Sequence, residues 1–251
     1  MKLDIDLIRS HFPERRIEWR ETTGSTMLDA ARLAAEGCPA GTVAGAEEQT
    51  SGQGRYGRHW HSEPYAGLYQ SIVLRCALPP PAMPVVTLAL GLAVAEGILK
   101  ATDLVCDLRW PNDLLLSDKK CGGILTQADG STVIAGIGLN VNHAAFPSSV
   151  AAVATSLRIA GGRPYSREQI LIQMLRAVDQ YCELLQEQGP QPIIEMFSRA
   201  SSYVAGRRVT VEQDGTVLRG VTDGLNESGF LMLREDSGRR TVILAGGVRP
   251  A

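Results

Sequence analysis

The larger, N-terminal part of the chain mixes helix-like and strand-like patterns of apolar side chains. Residues 26–36 carry apolar side chains at helical spacing, and residues 166–188 carry a longer stripe that starts at a Ser166–Gln169 capping box. Residues 86–100 are apolar on nearly every face, which is typical of a helix inside a core. The pattern therefore predicts two amphipathic helices and one buried helix.

Strand-like segments occupy the spaces between these helices. Residues 67–76 alternate enough to form a strand. Three later segments are rich in leucine or β-branched residues between turn residues, and each is expected to be one strand: 107–116, 121–127 and 131–142. Helices mixed with mostly consecutive strands favour an α+β fold over a doubly wound parallel sheet.

The pattern changes after residue 203, where short apolar runs are separated by Asp-Gly and Ser-Gly turns. The runs are residues 209–213, 216–225, 229–235 and 240–247. They predict a small all-β module, built as a barrel, behind a larger α+β domain. The predicted domains are residues 1–202 and residues 203–251.

Composition narrows the class of protein without identifying it. The chain has 251 residues, 44% hydrophobic and 21% charged, which is ordinary for a soluble globular protein. Its net charge of -2 gives no overall basic field for nucleic-acid binding. The five cysteines are widely spaced and form no C-x-x-C pair, so they predict reduced thiols in a cytoplasmic protein.

Two segments bear on membrane insertion or export. The charged N-terminus lacks the apolar core of a signal peptide. Residues 76–95 carry no charge, but four prolines interrupt them and leave only about eleven apolar residues before Glu96, too few for the ~30 Å core of a bilayer. We therefore expect a loop followed by a buried helix, and no membrane association.

The stretch GQGRYGRHW contains three glycines, Gly52, Gly54 and Gly57, at the spacing of a dinucleotide-binding turn. Such a turn needs an apolar strand before it and an apolar helix after it, and the flanking GAEEQTS and RHWHSEP supply neither. The HRD and DFG elements of a protein kinase do not follow the stretch, and the Gly-Lys-Ser/Thr of a Walker loop is missing. Because Arg55 and Arg58 can grip phosphate or carboxylate, we interpret the stretch as a mobile anion-binding loop.

Three further stretches place polar groups next to predicted strands. RWPNDLLL puts Asn112 and Asp113 directly after a proline, SDKKCGGIL puts two lysines ahead of a Gly-Gly pair, and GIGLNVN ends a strand with Asn140 and Asn142. Taken singly, the first two are also typical of an ordinary turn. The two asparagine amides would need hydrogen-bonding partners if they are buried.

In this order, the stretches resemble one family closely, the biotin protein ligases, also called biotin–[acetyl-CoA-carboxylase] ligases. The family pattern is a Ser-Thr pair, then Q-x-x-G-R-G-R-x-G-R-x-W, K-W-P-N-D, a lysine before A/G-G-I-L, and G-I-G-x-N. The matching positions here are Ser25–Thr26, Gln49 to Trp60, Arg109 to Asp113, Lys120 with Gly122 to Leu125, and Gly136 to Asn140. The resemblance covers nearly the whole chain.

The resemblance implies a fold and a reaction. The fold is a large mixed-sheet catalytic domain of the class II synthetase-like biotin/lipoate ligase type, followed by an SH3-like β-barrel. In the reaction, biotin and ATP with Mg²⁺ give biotinyl-5′-AMP and pyrophosphate. A lysine of a biotin carboxyl carrier protein domain then attacks the adenylate and releases AMP.

The resemblance also assigns roles to positions. Those that match biotin-binding positions are Ser25, Thr26, Met27, Gln49, Gly52, Gln53, Gly54, Arg55, Lys120 and Gly123. Those that match ATP- or adenylate-binding positions are Arg55, Arg58, Trp60, Asn112, Lys120 and Asn140. The catalytic set is Lys120, Arg55 and Asp113, with Asp113 also the candidate for holding Mg²⁺ on ATP and for orienting the incoming lysine.

Four positions depart from the family pattern. Gln53 replaces the first loop arginine, so we expect Arg55 to carry most of the loop's grip on anions. Met27 replaces an asparagine, and Arg109 replaces a lysine with retention of charge but a different geometry. Cys121 replaces an alanine and is expected to be a small buried residue without a catalytic role.

Two other functions occur on related folds. A lipoate or octanoate ligase or transferase is disfavoured, because the glycine-arginine loop and W-P-N-D point to biotin. Some biotin ligases are also repressors, but only about twenty residues precede Ser25, fewer than a helix-turn-helix domain needs, so we expect no DNA binding. The oligomeric state stays open, since members of the family often form homodimers through a sheet edge.

Overall fold

The computed structural model describes residues 1–76, 83–213 and 215–251 of the chain. The proline run before the buried helix and the first residue of the predicted Asp-Gly turn lie outside the described residues. Six helices are described: α1 Ile5–His11, α2 Thr26–Ala35, α3 Met83–Thr102, α4 Leu157–Gly161, α5 Arg167–Gln188 and α6 Pro190–Ala200.

A seven-stranded mixed sheet forms the centre of the larger domain. Its strands are β1 Ile17–Thr23, β2 Val43–Gln49, β3 Gly67–Arg75, β4 Asp107–Arg109, β5 Asp113–Leu116, β6 Lys119–Asp129 and β7 Thr132–Asn140. They lie in the order β1-β2-β3-β7-β6-β5-β4, and only the β1–β2 pair is parallel. The predicted α+β class is confirmed.

The prediction of a single strand over residues 107–116 is wrong. The segment folds back on itself as the antiparallel pair β4 and β5, with Arg109 opposite Asp113. Three residues, Trp110 to Asn112, form the turn. Pro111, Asn112 and Asp113 are all typical turn residues, but the leucine run that follows them continues the strand pattern and masks the break.

The two faces of the large sheet are covered by different helices. α3 and α5 pack on one face and are so close that a Cβ on Gly97 would lie 2.6 Å from the Met174 backbone. On the other face α2 packs through Met27 and Leu33 against Val73. The second face is only partly covered, which leaves room there for a cavity.

The helix boundaries follow from capping chemistry. Ser166 Oγ accepts a hydrogen bond from the Gln169 backbone N–H at 3.2 Å, which confirms the predicted start of α5. Gly189 then ends the helix with φ at +75°, in the left-handed region that glycine favours.

The apolar helix is longer than the sequence argument allowed. Pro84–Thr102, with mean hydropathy 1.7, meets the length and composition criteria for a membrane span, so the argument that this segment is too short is wrong. However, 72% of its most apolar window is buried inside the protein. The predicted burial of this helix in the core is therefore confirmed.

The C-terminal module is an antiparallel sheet that packs on the larger domain. Its strands, in the order β11-β10-β9-β8-β12, are β8 Ala205–Gln213, β9 Thr216–Leu225, β10 Leu231–Glu235, β11 Arg240–Ile243 and β12 Val248–Pro250. The Trp110 indole N–H donates to the Gly229 carbonyl at 2.9 Å. A Cβ on Gly229 would lie 3.0 Å from Leu88 and 3.1 Å from Val85, so this turn sits directly on α3.

Candidate active site

One cavity of about 240 Å³ lies between α2, strands β6 and β7, and the loop 52–60. The residues singled out from the sequence that line it are Thr26, Met27, Gln49, Gln53, Gly54, Arg55, Arg58, Trp60, Asn112, Asp113, Lys120, Gly123 and Asn140. Ser25 and Gly52 do not line it. Ser25 is buried at the N-cap of α2, and Gly52 closes the base of the loop.

A neutral hydrogen-bonding network forms one part of the cavity wall. Gln49, at the end of β2, accepts hydrogen bonds from the backbone N–H and the hydroxyl of Thr26 at 2.9 and 3.1 Å. Its side-chain amide donates to Ser62 Oγ at 3.2 Å, and Thr26 Oγ1 lies 2.9 Å from Ser71 Oγ. The network holds Thr26 and Gln49 in fixed orientations next to the cavity.

The loop 52–60 is a small hairpin. Trp60 N–H donates to Gly52 O at 2.9 Å, and Gly54 N–H donates to Arg58 O at 2.7 Å. Gln53 pairs with His59 as an isolated bridge. The expectation that no strand precedes the loop is wrong, because the buried strand β2 ends at Gln49, three residues before Gly52. The expectation that no helix follows is confirmed: the chain continues into strand β3, so the context of a dinucleotide-binding turn is still incomplete.

Glycines in β6 and β7 form a flat floor for Trp60. A Cβ on Gly138 would lie 2.5 Å from the indole, and one on Gly123 would lie 3.2 Å from it. The Lys120 ammonium lies 5.3 Å from the centre of the indole ring, close enough for a cation–π contact. Trp60 therefore joins the loop to the sheet at the position of Lys120.

Met27 takes up the neighbouring part of the same floor. A Cβ on Gly136 would lie 2.5 Å from Met27 Sδ. Met27 is buried, and its thioether packs on β7 where the family pattern has a polar amide. The departure makes this part of the wall apolar.

Asp113 holds two cations beside the cavity. Its Oδ1 lies 2.5 Å from Lys120 Nζ, and its Oδ2 lies 2.7 Å from Arg109 Nη2. Burial raises the pKa of the Asp113 carboxyl, but the charges and hydrogen bonds of Lys120 and Arg109 outweigh burial and hold the pKa below its usual value. Asp113 is therefore ionised at neutral pH.

Arg55 crosses from the loop to two other parts of the chain. Its Nη1 donates to Asn112 Oδ1 and to the Gly246 carbonyl, both at 3.1 Å, and its Nη2 donates to Tyr56 Oη at 3.0 Å. Arg58, in contrast, is exposed at the cavity edge. Three hydrogen bonds to neutral groups thus fix the orientation of Arg55, while the expected role of Arg55 in binding anions stays a prediction.

The asparagines flagged by the sequence have partners. Asn112 donates to Ile124 O at 2.8 Å and so ties the β4–β5 turn to β6. Asn140 donates to Thr155 O at 3.0 Å, and Asn142 bonds Tyr165 twice. Asn112 and Asn140 therefore also hold the cavity wall together, whatever they contact in a ligand.

Cys121 is also placed as expected. It is fully buried, and its Sγ lies 3.4 Å from Leu114 O. All five cysteines are free thiols.

The sequence did not identify one whole wall of the cavity. Residues there that lie outside every recognised motif are His61, Phe146, Val150, Val153, Ala154 and Gly247. The irregular segment 146–154 is held by Lys120, whose N–H donates to Val153 O at 2.8 Å and whose carbonyl accepts from Thr155 N at 2.9 Å. No periodicity marks this segment, so the apolar side chains at its end gave no signal.

A buried histidine lies behind this wall. Burial raises the pKa of Tyr69, whose hydroxyl donates to Glu63 O at 3.0 Å and therefore accepts from His143 Nε2 at 3.1 Å. His143 Nδ1 is then unprotonated, buried and without a partner among the described residues. Burial, with a smaller contribution from His61, lowers the pKa of His143 to about 4.

We expect His143 to make stability depend on pH. The folded protein keeps His143 neutral down to about pH 4, whereas the unfolded chain protonates it near pH 6.5. Stability should therefore fall as pH drops through this window. Between pH 7 and pH 5, urea unfolding should show wild type losing about 2 kcal/mol more than His143→Gln. Parallel curves for the two proteins would contradict the assignment.

The site offers little to a metal ion by itself. Among the described residues, no group of three or more His, Cys, Asp or Glu side chains is placed to hold one. Asp113 faces the cavity, but Lys120 and Arg109 already occupy both of its oxygens. A Mg²⁺ ion here fits only as one carried mainly by ligand phosphates and water.

Two family models match the chain. The biotin/lipoate A/B protein ligase family matches residues 15–142, and the biotin protein ligase C terminal domain matches residues 204–247. The first match contains the loop 52–60 and both strands of the cavity floor. The second match covers the C-terminal sheet except for its last strand, β12.

Individual proteins agree with these matches. The biotin–[acetyl-CoA-carboxylase] ligase of Mycobacterium tuberculosis is 33% identical over 264 residues, which cover 97% of each chain. The bifunctional ligase/repressor BirA of Bacillus subtilis is 31% identical over 90% of this chain and 72% of its own. The structure of biotin protein ligase from Aquifex aeolicus in complex with biotin and ATP superposes with a TM-score of 0.83 at 28% identity, covering 94% of this chain and 99% of that one. The predicted fold is thereby confirmed.

Proposed function

This chain belongs to the biotin/lipoate A/B protein ligase family and is a biotin ligase that uses ATP and Mg²⁺, and we propose that it works through two half-reactions in the cavity described above. In the first, a carboxylate oxygen of biotin attacks the α-phosphorus of ATP and displaces pyrophosphate. In the second, a lysine amine of a biotin carboxyl carrier protein domain attacks the acyl carbon of biotinyl-5′-AMP and displaces AMP.

One observation carries this proposal: a single cavity joins a neutral hydrogen-bonding wall to a cationic one. Thr26 and Gln49 offer oriented polar groups to an uncharged head group such as the ureido ring of biotin. Lys120 and Arg55 offer positive charge to a carboxylate and a phosphate. Because two anions must meet in the first step, fixed cations at the meeting point stabilise the developing charge.

The remaining site residues divide between the two substrates. We assign Ser25, Thr26, Met27, Gln49, Gly52, Gln53, Gly54 and Gly123 to the biotin side, and Arg58, Trp60, Asn112 and Asn140 to the nucleotide side, with Lys120 and Arg55 facing both. For Asp113 we propose mainly the orientation of Lys120. A role of Asp113 toward Mg²⁺ stays a prediction.

The domain boundary and the location are proposals as well. We place the catalytic domain in residues 1–202 and the β module in residues 203–251, in agreement with the start of β8 at Ala205. Five free thiols and the use of ATP support the cytoplasm as the location.

The full-length protein provides the direct test. Incubated with biotin, ATP, Mg²⁺ and a biotin carboxyl carrier domain, it should release pyrophosphate and add biotin to one carrier lysine. The same reaction with lipoate in place of biotin should leave the carrier unlabelled. Transfer of lipoate in preference to biotin would show that the protein is a lipoate ligase of the same fold and would overturn the proposal.

Arg55 provides a second test, this time of adenylate retention. Arg55→Gly removes the guanidinium that joins the loop to Asn112, so the adenylate should form but leave the site faster. We expect about 10- to 100-fold faster release, as for the loss of one or two charge-assisted hydrogen bonds. Rapid filtration of enzyme loaded with labelled adenylate measures it, with Arg163→Gly as the control, because Arg163 is an exposed loop arginine that does not line the cavity. Equal release from Arg55→Gly and wild type would contradict the assignment.

A further inference from the structure

Two hydrogen bonds join the C-terminal module to the tip of the loop 52–60. The Gly246 backbone N–H donates to Tyr56 Oη at 2.5 Å, and the Gly246 carbonyl accepts from Arg55 Nη1 at 3.1 Å. Gly246 lies between β11 and β12, in the turn 244–247, and the next residue, Gly247, lines the cavity. The backbone of one glycine thus hydrogen-bonds to two consecutive side chains of the loop.

The turn 244–247 is anchored on the side of the module. Gln213 Oε1 accepts the backbone N–H of Leu244 at 2.8 Å. Gly246 has φ at +126°, and a Cβ there would lie 2.4 Å from Glu212 O, so the turn needs glycine at this position. The module is in turn fixed to the larger domain through Trp110. The turn 244–247, which hydrogen-bonds to the loop, is therefore itself held rigidly in place.

The conformation of Tyr56 depends on these hydrogen bonds. Its backbone is left-handed, with φ 59° and ψ 33°, a region that a bulky side chain rarely adopts. Its side chain is 60% exposed, so burial contributes little to holding it. The hydrogen bonds from Gly246 and Arg55, together with the Arg55 guanidinium 5.0 Å from the ring centre, are the contacts that hold it.

The same contacts leave Arg55 able to bind an anion. A guanidinium has five N–H donors, and within the described residues three of them are used, toward Asn112, Gly246 and Tyr56. Nε–H and the second Nη2 N–H are left for a carboxylate or phosphate. Arg55 is thus oriented by neutral acceptors and keeps its charge for a ligand.

We propose that the turn 244–247 is a latch that holds the loop 52–60 closed, and that Tyr56 is the positioning residue on which the latch acts. The proposal rests on the proposed function for its consequence: the latch slows the escape of the acyl adenylate between the two half-reactions. Position 56 is variable in the family pattern. The proposed latch assigns a specific role in this chain to the phenol of Tyr56.

Three single variants test the latch. Tyr56→Phe removes the hydroxyl that Gly246 and Arg55 contact, and Gln213→Ala loosens the turn 244–247 without changing the cavity wall. Tyr65→Phe is the matched control, because Tyr65 also has positive φ and an exposed hydroxyl contact, to Glu21, and does not line the cavity.

The first measurement needs no ligand. Hydrogen–deuterium exchange of the full chain should be about three- to tenfold faster in residues 52–60 for Tyr56→Phe and for Gln213→Ala than for wild type, as for the loss of one hydrogen bond. Tyr65→Phe should match wild type there. Unchanged exchange in both latch variants would overturn the latch, whatever the enzyme does.

The second measurement uses enzyme loaded with biotinyl-5′-AMP. Both latch variants should release the adenylate about three- to tenfold faster than wild type. Faster exchange without faster release would overturn the retention role. If wild type forms no adenylate at all, the proposed function fails, and the exchange result still decides whether the turn holds the loop.

Discussion

Replacing Lys120 with alanine is expected to lower the rate of biotinyl-5′-AMP formation by about 100- to 1000-fold. Lys120 is the cation that lies at the junction of the cavity floor, Trp60 and Asp113. Its ammonium is fixed before any ligand arrives, so its stabilisation of the reacting anions costs no reorganisation. Pyrophosphate release in the presence of biotin and ATP measures the effect.

The adjacent lysine is a close control for this variant. Lys119 is exposed and does not line the cavity, so Lys119→Ala should keep the wild-type rate. Lys120→Ala should also stay folded, because Arg109 still neutralises Asp113. If Lys120→Ala kept its activity, or if Lys119→Ala lost as much, the lysine of the reaction would have been misassigned.

Replacing Asp113 with asparagine is expected to lower the rate of adenylate formation by about 10- to 100-fold, through misplacement of Lys120. The change also leaves two cations side by side without their counter-ion. Asp113 is 17% exposed, so its pairing should contribute to stability, and we expect a loss of about 2 kcal/mol in the free energy of unfolding. Steady-state kinetics and urea denaturation measure the two effects.

The stability loss should have a defined dependence on pH. The folded-state pKa of Asp113 lies below its unfolded value, so its contribution is present above about pH 4 and is lost as pH falls through the folded pKa. The difference between wild type and Asp113→Asn should therefore be constant from pH 8 to pH 5 and shrink only below pH 4. A difference that shrinks between pH 7 and pH 5 would contradict an ionised Asp113.

The sequence could predict secondary-structure elements in which apolar residues recur at a regular spacing. It could also predict the motifs that follow one another in a characteristic order along the chain. The stripe of α5 and its Ser166 cap specify a helix locally, and the order of the motifs that contain Asn112, Asp113 and Lys120 indicates the family. The turn inside 107–116 was missed because leucines follow it without a break.

Contacts between distant residues were not readable from the sequence. Gly138 and Trp60 meet only because the loop folds onto β7, and Tyr56 and Gly246 are 190 residues apart. The wall formed by residues 146–154 is irregular, so neither period nor composition marks it. Tertiary packing brings these residues together, and the local sequence pattern contains no information about tertiary packing.

The backbone of Lys120 has a consequence for how this enzyme can vary. It is paired with β5 on one side and with the irregular segment at Val153 and Thr155 on the other. The connection from β7 to Thr155 therefore helps to position the lysine, together with the sheet. A deletion in that connection would act as an active-site mutation, although it removes none of the charged residues at the site.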